Sequence, residues 1–278
     1  MGVSRVARPQ TNTIAATMST PLSASAVSGI VGALRAAGCV FAEDEADLLI
    51  AAANSPADLS AILGRRIAGE PLEVILGWAE FAGLRIAIAP GVFVPRRRTE
   101  YLVRRALKLA SPSAVVVDLC CGSGALGAAI AAALPGVRLY ASDIEPAAVR
   151  CARENLAGIG DVFEGDLFDP LPASLRGTVD ILLVNAPYVP TSEIAGMPPE
   201  ARIHEPQVAL DGGGDGLDIH RRVAAEAAEW LAPGGTLLIE TSARQSAEAV
   251  RFFEEGGLTA RVAHSKKRGA TVVLGTRT

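Results

Sequence analysis

The sequence predicts an α/β protein: a mostly parallel sheet with helices on both faces, preceded by a small helical region. Three observations predict it. From residue 114 onward, short apolar runs alternate with helix-like stretches, the pattern of βαβ units. The first of those runs opens into a glycine-rich turn, DLCCGSGALG. The chain closes on two β runs, LTARVAHS and ATVVLGTR, joined by Lys-Lys-Arg-Gly, which puts at least one antiparallel strand at the end.

The elements follow in chain order. Residues 1–20 are rich in Ser, Thr and Ala and carry Arg5 and Arg8. No apolar core of a secretory signal follows them. They are expected to be a disordered tail, or to lie upstream of a true start at Met18. Residues 21–76 read as short helices forming a small domain. AEDEADLLIAAA opens with acids, as a helix N-terminus prefers. SPADLSAILGRRIAG offers Ser55 as a cap and Pro56 at the first helical position. Residues 77–95 change to short β runs broken by Gly83 and Pro90-Gly91, a hairpin linking two domains. Residues 96–278 carry the regular pattern. Its strands are AVVVDLC (114–120), VRLYASD (137–143), VFEGDLF, VDILLVNAP (179–187) and TLLIETS (236–242), then the closing pair. Helices are expected after the glycine turn to about Leu134, from Pro146, over 218–231 and over 244–255.

Composition narrows the class. Of 278 residues, 50% are hydrophobic and 20% charged, with a net charge of −4. That is globular composition, and it argues against broad capture of nucleic acid. No run of 18 or more apolar residues occurs, as a membrane-spanning helix would need. Cys39, Cys120, Cys121 and Cys151 fit no zinc ligand spacing and read as reduced thiols of a cytoplasmic protein. His204, His220 and His264 are scattered, so no metal site is expected.

In parallel sheets, ligands bind beyond the carboxyl ends of the strands. Asp118, Asp143, Asp166 and Asn185 all fall at or just after such ends and so converge on one expected site. Gly122-Ser123-Gly124-Ala125-Leu126-Gly127 is a literal G-x-G-x-x-G, and Asp143 follows Gly124 by roughly 20 residues, the offset of a ribose-binding acid. This fits either a nicotinamide dinucleotide or a nucleoside cofactor without phosphates, such as S-adenosylmethionine (SAM). Three features favour SAM. Asp118 suits an ammonium group better than a pyrophosphate. The fourth strand ends in Asn185-Ala186-Pro187-Tyr188, which has an obvious use in methyl transfer. Seven strands with a terminal hairpin are the Rossmann-like pattern of SAM-dependent methyltransferases.

Enzymes that methylate a planar nitrogen often carry Asn-Pro-Pro-Tyr at that point; here Ala186 stands at the first proline. The Asn185 side-chain oxygen and the residue 186 carbonyl are the two acceptors that would hold an NH2 group. Tyr188 would pack flat on the substrate amide. Positioning is the main contribution, worth up to roughly 7–11 kcal/mol in well-aligned reactions, and the acceptors stabilise the charge developing on nitrogen.

These residues resemble the PrmC/HemK-type protein N5-glutamine methyltransferases from about Arg65 onward. The resemblance is carried in order by RRIAGEPLEVILGWAEFAGL, PGVFVPRRRTEYLV, VDLCCGSGALG, ASDIEPAAVRCARENL, GDLF, VNAPYVP, EPQVALDGGGDGL and APGGTLLIETSARQ. Arg96, Thr99 and Glu100 match the family's Pro-Arg…Thr-Glu element. The resemblance implies SAM contacts from Cys120, Cys121, Gly122, Ser123, Gly124, Asp143, Leu167 and Asn185, with residues 185–188 forming the glutamine site; Asp118, Ile144 and Asp166 complete the expected cofactor-binding set. It implies the Gly-Gly-Gln loop of class I peptide-chain release factors as the protein substrate, held partly by the helical domain. A monomer is expected. The alternatives are an N6-adenine or rRNA methyltransferase, or a SAM-binding protein without catalysis.

Overall fold

The computed structural model describes residues 22–278; the disordered tail expected over 1–20 lies outside the described residues. The chain divides into two compact units between Leu76 and Gly77. The first holds α1 (Ala24–Ala36), α2 (Ala42–Ala52), α3 (Pro56–Ile67) and α4 (Leu72–Leu76). Serine hydroxyls cap two of them. Ser23 accepts the Ala26 N–H at 3.3 Å, and Ser55 accepts the Asp58 N–H at 3.1 Å, with Pro56 opening α3. The core is small, built on Ile30, Leu34, Leu49 and Leu59. A buried ion pair, Arg66 Nε to Glu45 Oε2 at 2.6 Å, ties α3 to α2.

The second unit opens with the hairpin β1 (Trp78–Phe81) and β2 (Leu84–Ala87). Ala82 and Gly83 both have positive φ, 52° and 79°, as a two-residue hairpin turn of the right twist requires. After α5 (Glu100–Leu107), the main sheet alternates strand and helix. The strands are β3 (Val115–Leu119), β4 (Arg138–Asp143), β5 (Gly160–Glu164), β6 (Val179–Val184), β7 (Leu231–Thr241), β8 (Leu258–Ser265) and β9 (Ala270–Arg277). Between them lie α6 (Ala125–Ala133), α7 (Pro146–Asn155), α8 (Pro199–His204), α9 (Asp218–Trp230) and α10 (Ser246–Glu255). The sheet order is β5-β4-β3-β6-β7-β9-β8, with β9 antiparallel to both neighbours. The order reverses between β3 and β6, and the crevice at such a switch point is where α/β sheets bind ligands.

Both faces of the central strands are covered, which explains why their apolar residues run consecutively instead of alternating with polar ones. Every residue of β3 is buried. Leu182, Val184, Leu237, Ile239 and Val273 share one core with Trp230, which stacks on Phe168 at 5.2 Å. Each such side chain, fully buried, contributes on the order of 1.5–3 kcal/mol.

Three local departures from the sequence reading have physical causes. The third parallel strand ends at Glu164 rather than running to Phe168, because Gly165 (φ 158°) and Leu167 (φ 46°) turn the chain out of the sheet. The fifth begins at Leu231, not Thr236. Leu231 already pairs with Val179, and the register shifts between Val179 and Ile181 to absorb Pro233-Gly234-Gly235. α5 is a helix the charge-rich segment EYLVRRAL hid, its apolar face reduced to Leu102, Val103 and Ala106.

Candidate active site

The glycine loop leaves β3 and enters α6 through a sharp reversal. Cys120, Gly122 and Gly124 have φ of 53°, 55° and 75°. The left-handed region suits glycine but strains cysteine. Leu167 is strained in the same way, and both it and Cys120 line one cavity of about 300 Å³. Strain of this kind concentrates at ligand sites. Asp143, at the end of β4, holds the loop: its Oδ2 accepts the Gly122 N–H at 2.8 Å and its Oδ1 the Glu145 N–H at 3.0 Å. Burial pushes the Asp143 carboxyl above its usual range, against the pull of those N–H groups. Asn155 braces the loop from behind, giving its amide N–H groups to the Ser123 carbonyl (2.8 Å) and the Ala87 carbonyl (3.0 Å).

The structure sorts the expected cofactor residues into two layers. Cys120, Gly122, Asp143, Ile144, Asp166, Leu167 and Asn185 line the 300 Å³ cavity. Cys121, Ser123, Gly124 and Asp118 do not; they form the loop's inner side, and Asp118 is 1% exposed. Asp118 Oδ2 accepts the Gly127 N–H at 3.0 Å, while Oδ1 is buried without a hydrogen-bond partner. Burial pushes this carboxyl up to about 8. An orphaned acidic oxygen beside the loop fits an ammonium-bearing ligand such as SAM, which would restore its charge. Asp166 is held by Arg222 at 2.7 Å, and Arg222 also lines the cavity.

A second cavity, of about 60 Å³, shares Asn185 and Pro187 with the first and adds Ala186, Tyr188, Thr99 and Glu240. All four residues of the Asn-Ala-Pro-Tyr motif therefore face one place. Asn185 sits immediately after β6, half-buried, and its side chain makes no hydrogen bond with any described residue. Tyr188 is fixed at both ends. Its hydroxyl receives Arg98 Nη2 at 2.8 Å and donates to Glu240 Oε1 at 3.2 Å; its carbonyl accepts Gln245 Nε2 at 2.9 Å. Burial first, then the neighbouring Glu240, raises the phenol to about 12, so it stays protonated at neutral pH. Glu240 is itself held by Arg98 Nε at 3.1 Å.

The loop EPQVALDGGGDGL is built against this motif. Val189 donates its N–H to the Leu210 carbonyl (3.1 Å) and accepts the Gly212 N–H (2.9 Å). Gly216, at φ 79°, passes so close that a Cβ there would collide with the Tyr188 carbonyl and lie 2.5 Å from Gln245 Nε2. Glu205, at the start of the loop, is clamped by both carboxylate oxygens to Arg96 Nη2 at 2.6 Å. Arg98, Glu240, Asn155 and Gln245 were not singled out from the sequence. A charged residue ending an apolar strand, as Glu240 ends TLLIETS, is the signal that marks one of them.

Comparison with known proteins agrees with this geometry. The family described as "Methyltransferase small domain" matches residues 83–268. The release factor glutamine methyltransferase of Geobacter sulfurreducens is 38% identical over 209 residues, 73% of this chain and 72% of that protein. The 4-amino-L-phenylalanine/4-methylamino-L-phenylalanine methyltransferase of Streptomyces pristinaespiralis is 35% identical over 276 residues, 91% of this chain and 93% of that one. Among solved structures, a methyltransferase from Pyrococcus furiosus shares the fold at TM-score 0.54 and 15% identity, covering 78% of this chain and 98% of that one. With a cavity at the glycine loop, an Asn-x-Pro-Tyr motif at its edge and relatives named release factor glutamine methyltransferase, the chain belongs to the Methyltransferase small domain family and is a SAM-dependent methyltransferase.

Proposed function

We propose that this enzyme, a cytoplasmic monomer, methylates the N5 amide nitrogen of a protein glutamine, with the Gly-Gly-Gln loop of a class I release factor as substrate. One observation carries the reading: the Asn185 side chain has no hydrogen-bond partner among the described residues, and Asn185 lines both cavities. Its amide oxygen and the Ala186 carbonyl are the acceptors for the substrate NH2. Tyr188, pinned by Arg98 and Glu240, presents a fixed ring to the planar amide. SAM, when bound, supplies an electrophilic methyl group on a sulfonium, and the acceptor nitrogen loses one proton as it gains that methyl. The protein's part is alignment and stabilisation of the charge on nitrogen. Relatives named release factor glutamine methyltransferase support the substrate.

A second reading has its own support. The aminophenylalanine methyltransferase relative matches 91% of this chain, so its match takes in most of the N-terminal unit. The release factor enzyme of Geobacter sulfurreducens matches 73%. An arylamine nitrogen is planar and conjugated like an amide, and the same acceptors suit it. Incubation with labelled SAM and either release factor or 4-amino-L-phenylalanine, then mass mapping of the methyl group, separates the two. Asn185→Ala is expected to lower kcat at least 100-fold with the fold intact. Unchanged turnover in that variant would move the acceptor site elsewhere.

A further inference from the structure

A third cavity, of about 570 Å³, is also lined by Tyr188. Arg98, Tyr188 and Glu240 line both it and the small cavity that holds Asn185. The remaining lining includes Lys266, His264 and Thr271. Its charge balance is one-sided. Glu240, the acid among the lining residues, is 2% exposed; its Oε1 accepts from Arg98 and Tyr188, while its Oε2 is buried without a hydrogen-bond partner among the described residues. Arg98 uses only Nε and Nη2 for those contacts, and its Nη1 makes no hydrogen bond with any described residue. Lys266 has no ion-pair partner among the described residues and sits exposed at the rim. Lys266 therefore stands without an ion pair among the described residues beside Arg98, whose own charge is shared with Glu240. His264 adds no charge of the opposite sign; its Nδ1 lies 3.0 Å from Thr271 Oγ1.

We propose that this chamber binds a carboxylate of the methyl acceptor, with Arg98 Nη1 and Lys266 as its donors. The inference rests on Asn185 marking the acceptor nitrogen. It follows that acceptors are selected for a carboxylate that reaches Arg98 and Lys266 while their nitrogen lies at Asn185. A guanidinium already braced by Glu240 and Tyr188 loses little rotamer freedom on binding, which favours a specific contact over a diffuse one. Two sources present this chemistry: the α-carboxylate of a free amino acid, and an acidic side chain flanking a target glutamine.

Two probe pairs test the proposal and separate the sources. One is 4-amino-L-phenylalanine against 4-aminophenethylamine, which lacks the carboxylate. The other is a Gly-Gly-Gln peptide flanked by Glu against the same peptide flanked by Gln. Affinity is read by calorimetry with S-adenosylhomocysteine present, so turnover is not required, and kcat/KM is read where turnover occurs. The wild type is expected to favour the carboxylate member of one pair by tenfold or more, and the favoured pair identifies the source. Lys266→Ala should reduce that preference several-fold and Lys266→Glu should bring it near unity. Arg98→Lys should restore part of what Arg98→Gln loses, as a charge contact predicts and a packing role does not. Equal binding within both pairs overturns the proposal, as does a preference that survives Lys266→Glu, or no binding of any of the four. Failure of the underlying reading shows separately, as full turnover by Asn185→Ala.

Discussion

Arg98 Nη2 lies 2.8 Å from the Tyr188 hydroxyl, and the same guanidinium reaches Glu240 through Nε at 3.1 Å. One arginine thus joins the segment before α5, the loop after β6 and the end of β7. Tyr188→Phe removes a hydrogen-bonded hydroxyl from this network. The expected cost is about 1 kcal/mol of stability and a several-fold rise in acceptor KM, with SAM affinity unchanged. Denaturant melts and steady-state kinetics check both parts. A loss of SAM binding instead would put Tyr188 in the cofactor site.

Ala186→Pro is expected to keep activity within a few-fold. The role of position 186 is its carbonyl, which both residues have. The Ala186 N–H takes part in no loop or turn hydrogen bond, so proline removes no donor that is in use. Pro187 already biases residue 186 towards an extended backbone. Collapse of kcat with unchanged melting would mean that this loop needs a geometry proline cannot adopt.

Gly216→Ala should be damaging although the residue contacts no cofactor. The new Cβ meets the Tyr188 carbonyl and Gln245 at a φ of 79°, and both obstacles belong to the motif's own support. The expected result is a loss of about 1–3 kcal/mol and an acceptor KM raised tenfold or more. A variant as active and stable as wild type would show that the loop and the motif are not coupled.

Asp118→Asn separates stability from cofactor binding. The folded carboxyl sits at about 8 against an ordinary 3.8. Between those values the native state binds the proton and the unfolded state does not. Wild-type stability therefore falls as pH rises from 4 to 8, and the amide removes that dependence. The stability difference between variant and wild type should grow by on the order of 1 kcal/mol per pH unit across the window. SAM affinity should drop about 10–100-fold, the worth of a charged hydrogen bond. Calorimetry in the absence and presence of SAM measures both, and intact SAM affinity would exclude Asp118 from the ammonium site.

Much of the sheet was legible because its signals are local. The alternation of apolar runs and helices, the G-x-G-x-x-G turn and the acid ending the second strand each depend on neighbours in the chain. Asn185 could be found the same way, as a polar residue ending the apolar run Ile181–Val184. The bulged start of β7 was not legible: Pro233-Gly234-Gly235 carries turn chemistry, and only pairing of Leu231 with Val179 overrides it. α5 was hidden because four of its eight positions are polar or charged in a stretch too short to show a period.

By itself the sequence determined an α/β sheet with a closing hairpin, a glycine loop for a nucleoside cofactor and the motif at residues 185–188. Those features follow from periodicity and from backbone demands that a few adjacent residues express. Only the tertiary structure decided what stands around the motif. The Arg96–Glu205 clamp joins residues 109 apart in the chain, and Arg98 and Glu240 are 142 apart. Nothing in local pattern selects such partners. They meet because the sheet order puts the ends of β6 and β7 side by side, and burial of Glu205 and Glu240 leaves each carboxylate in need of a cation.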